Sequence, residues 1–202
     1  ERQEVVRVVV LRGAGPAFLA GGDVSSFHAN LSRMPQMVVE LASELHRAVL
    51  ALRRAPNPVV ASVHGAVAGA GVSLVAAADF VIAAADTQFA LAYSRIGTSP
   101  DGGATWFLPR LVGYQKALEL MLLSEPVDAA TMQALGLVNR VVPAAELEQE
   151  TRRIVARLAT GPTLAYAATK RLVNQAFDNS LAAHLDEEAQ AFARCAATRD
   201  FA

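Results

Sequence analysis

From Ala66 to Ala85 the chain is almost wholly apolar, a run about as long as a membrane-spanning helix. Gly65 and Gly69 even stand at the spacing of a helix-pairing motif. Against a span, Asp79 lies inside the run, where a mid-bilayer carboxylate carries a penalty of roughly 2.5–3.5 kcal/mol. No Lys or Arg cluster flanks the run, and no aromatic belt marks an interface. Asp79 divides it into two apolar pieces, as a buried helix followed by a buried strand would be. The expectation is a covered α/β core and no membrane partner.

The flanking sequence supports that choice. Val5 to Leu11 and Val59 to Val63 are β-branched and nearly continuous, the pattern of strands covered on both faces. Between them Pro35 opens a helix whose apolar positions Met37, Val38, Leu41, Leu45, Val49 and Leu52 follow a 3.6-residue period; Pro56-Asn57-Pro58 ends it. After the glycine-rich turn Gly65–Gly71 come a short helix to about Ala78 and strands over Phe80–Ala83 and Gln88–Leu91. Pro100 to Gly103 is a turn into a helix, Tyr114–Leu123 is helical, Asp128 caps a short helix ending at Gly136, and Val138–Val142 is a strand. Beyond Pro143 three helices follow, over Glu146–Thr160, Pro162–Phe177 and Leu181–Thr198. Strand–helix alternation predicts parallel pairing with crossovers. The expected division is a core over residues 1–143 and a helical region over 144–202.

Composition narrows the partners. Hydrophobic residues reach 53% against 18% charged, an apolar balance that subunit contacts would help to cover. A net charge of −1 provides no basic field for nucleic acid. The lone Cys195 excludes an internal disulfide and fits a reducing compartment, and the opening Glu1-Arg2-Gln3-Glu4 has no signal pattern, so a cytoplasmic location is expected.

Two loops carry the chemistry. One is Ala17-Phe18-Leu19-Ala20-Gly21-Gly22-Asp23; the other runs from Val63 through Gly65, Gly69, Ala70 and Gly71 to Ser73. Neither completes a dinucleotide fingerprint, because Phe18 and Leu74 stand where the third glycine belongs, and no phosphate loop occurs. What small residues offer is exposed backbone: main-chain N–H groups that a ligand can approach, reinforced by a helix N-terminus. Two such donors aimed at one carbonyl oxygen form an oxyanion hole. Either loop alone is as simply explained by tight strand–helix packing.

Taken together, Ala17-Phe18-x-Ala20-Gly21-Gly22-Asp23, His64-Gly65-x-x-x-Gly69-Ala70-Gly71-x-Ser73-Leu74, Ala78-Asp79, Phe89, Ile96-Gly97, Pro100-Asp101-Gly102-Gly103 and Leu135-Gly136-Leu137-Val138 resemble the crotonase family, the enoyl-CoA hydratases and isomerases. The resemblance covers nearly the whole chain. Members usually have an additional strand region before the position of Glu1 and a further helix after that of Ala202. The resemblance implies an α/β fold, a crotonase-like ββα spiral core with a C-terminal helical region for trimerisation, assembled as a homotrimer or dimer of trimers. It implies an acyl-CoA substrate whose coenzyme A arrives as part of the substrate, with no separate cofactor and no metal. The hole's donors then fall on Gly22 and Ala70. Backbone around Phe18 and Ala20 takes the adenine, and Asp23, Val24 and Ser25 line the substrate's path.

The same resemblance exposes a departure. The two glutamates with which a hydratase handles water fall on Ser73 and Tyr93, so both carboxylates are missing. One carboxylate remains nearby. Asp101, in Ile96-Gly97-Thr98-Ser99-Pro100-Asp101-Gly102-Gly103-Ala104-Thr105-Trp106, resembles the proton-moving aspartate of the branch that isomerises ring-epoxide and unsaturated acyl-CoAs in phenylacetate degradation. Locally it is equally a turn aspartate before glycine or a helix cap. As a base it needs shelter from water, and Trp106 and Phe107 are apolar residues close by in sequence.

His28, His46, His64 and His184 have no mutual metal-ligand spacing, and His64 suits a structural place in its turn. Asp79 suits a buried or capping role, and Lys170 and Arg171 are left unassigned. Three readings stand: an acyl-CoA isomerase using Asp101, a hydratase with altered acid–base residues, and a non-catalytic acyl-CoA binding protein.

Overall fold

The computed structural model describes residues 6–23, Phe27 and residues 31–201. The apolar run that opened the question resolves into strand, helix and strand. Among the described residues no helix is long and apolar enough to cross a membrane. Asp79 stands immediately before the second strand, where the run was expected to divide.

Two sheets stack. The first holds β1 (Val9–Arg12), β2 (Val59–Val63), β4 (Phe80–Ala84) and β7 (Arg140–Val142), all parallel, in the order β1-β2-β4-β7. The second holds β3 (Ala66–Ala68), β5 (Gln88–Ala90) and β6 (Val127–Asp128), with β3 parallel and β6 antiparallel to β5; Leu19 adds a parallel bridge to Val67. Each pass of the chain therefore gives the first sheet a strand and the second sheet a strand or bridge. After β3 and β5 it returns through helices: α2 (Ala70–Ala76), then α3 (Ala104–Val112) and α4 (Tyr114–Leu123). This repetition is the ββα spiral.

Burial explains the mainly apolar β2, all five of whose residues are buried. Ala61 and Val63 face the large cluster with Val67, Val72, Phe89 and Leu108. Val60 faces Ile82 and Ile154 of α6 (Leu147–Thr160) on the other side. On that side Ser62 is satisfied by the Thr151 hydroxyl at 2.8 Å.

Two expected boundaries move for identifiable reasons. Among the described residues the first strand begins at Val9, level with its partner's start at Val59 after Pro58, whose carbonyl accepts the Val9 N–H at 2.9 Å; Val5 lies outside the described residues. The turn expected over Gly65–Gly71 contains β3, since Val67 finds Phe89 on one side and Leu19 on the other.

The helix opened by Pro35, α1, spans Met34–Arg54. Asp128 caps α5 (Ala129–Ala134) by accepting the Thr131 N–H at 2.7 Å. The last helices are α7 (Thr163–Gln175) and α8 (Leu181–Ala196). Lys170 docks α7 against the core. Its ammonium lies 2.6 Å from Asp79 Oδ2 and donates to the Leu52 carbonyl at 2.8 Å, with only 9% of the side chain exposed. Lys170 is thus no exposed helical cation, and Asp79 is the partly buried carboxylate expected, also accepting the Val59 N–H. Arg171 pairs with Glu187 of α8 at 2.7 Å.

Candidate active site

The two glycine loops meet. The first lies along β3: the Phe18 N–H donates to the His64 carbonyl at 2.9 Å, Leu19 to Ala66 at 3.2 Å, and Ala68 returns a bond to Leu19 at 2.8 Å. His64 takes the structural place expected of it, with Nε2 2.9 Å from the Gly15 carbonyl. A Cβ on Gly71 would sit 2.8 Å from the Leu19 carbonyl oxygen, so only glycine lets the first loop lie this close to the second. The two backbones are also in contact at Gly21 and Gly69, both in the left-handed region at φ 100° and 52°.

Gly22 and Ala70 each stand one residue beyond that contact. The Gly69 N–H is committed to the Ala90 carbonyl at 2.9 Å. Ala70 opens α2, where backbone N–H groups have no carbonyl one turn earlier to receive them. Gly22 and Ala20 are exposed; the Phe18 ring packs against the large core cluster. Asp23 is exposed and its carbonyl accepts the Phe27 N–H at 3.2 Å. Val24 and Ser25 lie outside the described residues.

Ser73, Tyr93 and Asp101 are brought together. The Tyr93 hydroxyl donates to Asp101 Oδ1 at 2.5 Å, and the fully buried Ser73 hydroxyl donates to the Asp101 backbone carbonyl at 2.8 Å. Burial pushes the Tyr93 phenol above its ordinary 10.0, and the hydrogen bond to Asp101 and that carboxylate's charge push it further; bonds from the Ser73 side chain and the Asp101 backbone partly oppose this. Tyr93 is therefore a protonated donor, and Asp101 retains one carboxylate oxygen outside this bond.

Trp106 and Phe107 do not supply the expected shelter. Trp106 is 42% exposed, with the Arg110 guanidinium 3.9 Å from its ring centroid. Both aromatics line a cavity of about 440 Å³ with Arg53, Asp79, Lys170 and Phe177, and none of Gly22, Ala70, Ser73, Tyr93 and Asp101 lines it. The groups beside Asp101 are polar. Sequence reading missed one of them: His46 of α1, whose Nε2 accepts the Gly102 N–H at 3.3 Å. No local pattern announces it, because the partner is a backbone group in a distant turn. Among the described residues no group of three or more His, Cys, Asp or Glu is placed to hold a metal ion.

Paired glycine loops and the Tyr93–Asp101 hydrogen bond fit what the chain is similar to. The profile described as Enoyl-CoA hydratase/isomerase matches residues 1–202. A probable enoyl-CoA hydratase of Rhodobacter capsulatus is 38% identical over 195 residues, covering 96% of this chain and 75% of the relative. The 1,2-epoxyphenylacetyl-CoA isomerase of Escherichia coli is 34% identical over 189 residues, covering 93% and 72%. The crystal structure of an enoyl-CoA hydratase from a Polaromonas species superposes with a TM-score of 0.91 at 38% identity, covering 95% of this chain and 75% of that one. With the spiral fold and the paired glycine loops already in view, these matches make the chain a member of the enoyl-CoA hydratase/isomerase, or crotonase, family of enzymes.

Proposed function

We propose that this enzyme is an acyl-CoA isomerase in which Asp101 moves one proton along the acyl chain. The observation that carries the reading is the environment of Asp101. The positions that resemblance assigns to a hydratase's two glutamates hold Ser73 and Tyr93, and both hydroxyls donate to Asp101. With a 3-enoyl thioester, Asp101 removes a proton from C-2. The C–H electron pair delocalises into a dienolate whose oxygen is held by the Gly22 and Ala70 N–H groups. Asp101 then returns the proton to C-4, leaving the 2-enoyl product. No atom is gained or lost, so a single carboxylate serves as base and then as acid. Ring isomerisation, suggested by the printed name of the Escherichia coli relative, would use the same hole.

The rest of the reading follows the family resemblance. Coenzyme A enters with the substrate and no further cofactor takes part. Backbone near Phe18 and Ala20 receives the adenine, while Asp23, Val24 and Ser25 border the acyl path. Residues 1–143 form the catalytic core and 144–202 the region for homotrimers or paired trimers, working in the cytoplasm.

The test assays 2-enoyl- and 3-enoyl-CoA esters side by side, with Asp101→Asn as control. Isomerisation lost in the variant is expected. Rapid hydration of crotonyl-CoA, undiminished in Asp101→Asn, would replace this reading with the hydratase that the name of the Rhodobacter relative suggests. Tight ester binding without turnover on a broad panel would favour a non-catalytic binding protein.

A further inference from the structure

The Asp101 carbonyl and the Gly102 N–H belong to one peptide plane, and the two ends of that plane are held by different helices. Ser73 of α2 donates its hydroxyl to the carbonyl at 2.8 Å. His46 of α1 accepts the N–H through Nε2 at 3.3 Å. This makes Nε2 the unprotonated ring nitrogen. Gly102 is buried and left-handed at φ 61°, and a Cβ there would lie 2.8 Å from the Ser73 Cβ and 3.0 Å from Leu45 Cδ2. Glycine is therefore required, and beside glycine a peptide plane turns over at little steric cost. The Asp101 Cα lies in that plane, so anchoring both ends fixes ψ at Asp101 and the Cα from which the carboxylate projects. His46 itself is exposed, so the core does not depend on its bulk.

We propose that His46 is a positioning residue for the reaction: with Ser73 it fixes the rotation of the Asp101–Gly102 peptide and so the direction of the Asp101 carboxylate. The proposal rests on Asp101 as the proton carrier. What His46 contributes is an acceptor at a set reach. Glutamine offers an oxygen at about the reach of Nε2, and leucine offers none.

The test compares His46→Leu, His46→Gln and Asp101→Asn with the native enzyme on a 3-enoyl-CoA, alongside thermal unfolding and hydrogen exchange at the Gly102 amide. For His46→Leu, kcat is expected to fall between about tenfold and a hundredfold with KM within about twofold, the scale of a small misplacement of a reacting group. The Gly102 amide should lose protection, and His46→Gln should recover most of both. A His46→Leu enzyme with native kcat, or a His46→Gln enzyme as impaired as His46→Leu, would overturn the assignment. Should His46→Leu melt early, the glutamine variant and its Gly102 protection still decide. If Asp101→Asn keeps full activity, the proton-carrier reading fails, and Gly102 exchange alone then judges whether His46 holds the peptide.

Discussion

Tyr93 and Asp101 share a hydrogen bond of 2.5 Å in which the phenol is the donor. A bond to a charged acceptor is worth about 1.5–3 kcal/mol, or roughly tenfold to a hundredfold in rate if the transition state needs it intact. Tyr93→Phe is accordingly expected to lower kcat on a 3-enoyl-CoA by about that range. Binding of a non-reactive CoA ester should stay within about threefold, because the lost group bonds the carboxylate and the coenzyme is proposed to bind near Phe18 and Ala20. Steady-state kinetics and calorimetric titration read the two quantities separately.

The raised Tyr93 pKa also predicts an alkaline weakness. Above the ordinary value of 10.0 the unfolded chain releases the phenol proton while the folded protein retains it. The unfolded state then binds fewer protons, so stability falls as pH rises through this range; below it the contribution is fully present. Urea unfolding at pH 8 and pH 11 should show a larger loss for the native protein than for Tyr93→Phe, the difference cancelling the other titrating groups.

The oxyanion role proposed for Ala70 can be tested on its own. Proline is tolerated at the first position of a helix, where its missing N–H interrupts no intrahelical bond. Ala70→Pro therefore deletes one donor with little disturbance of α2. Turnover is expected to fall by about a hundredfold to a thousandfold, the usual consequence of losing one oxyanion contact. Circular dichroism and the melting temperature should stay near native.

Stability elsewhere hangs on Asp79. Its side chain is 22% exposed and serves Lys170, Arg53 and the Val59 N–H together. Asp79→Ala leaves the Lys170 ammonium without its counter-ion in a largely buried place, which is expected to destabilise by about 3–5 kcal/mol. Adding Lys170→Met should recover a good part of that loss, since the stranded charge goes with it. Urea midpoints of the two single variants and the double variant give the coupling.

How much of this was legible in the chain depended on where each partner lies. Val59–Val63 was readable to the residue, because a mainly β-branched run between Pro58 and a glycine turn leaves little choice. Tyr114–Leu123 and the Asp128 cap were readable for similar local reasons. β3 was hidden, since three small residues among glycines show no period and become a strand only through Leu19 and Phe89. Lys170 stayed unassigned because the carboxylate that buries it belongs to a strand entrance far earlier in the chain. Asp101 was singled out by resemblance. The company it keeps, Tyr93, Ser73 and His46, arises from four segments that only the fold assembles.

The bridge between Leu19 and Val67 has a mechanical meaning. It registers the loop carrying Gly22 on β3, the strand that leads directly into Ala70. The spacing of the two proposed donors is thus gauged by sheet pairing, whose smallest slip is one residue, about 3.3 Å. Inserting or deleting a single residue between Leu19 and Gly22, or between Val67 and Ala70, is expected to carry one proposed donor out of reach of a shared oxygen. The pairing acts as a ruler that sheet hydrogen bonding keeps true, and evolution can rework the proton-moving residues around it without resetting the scale.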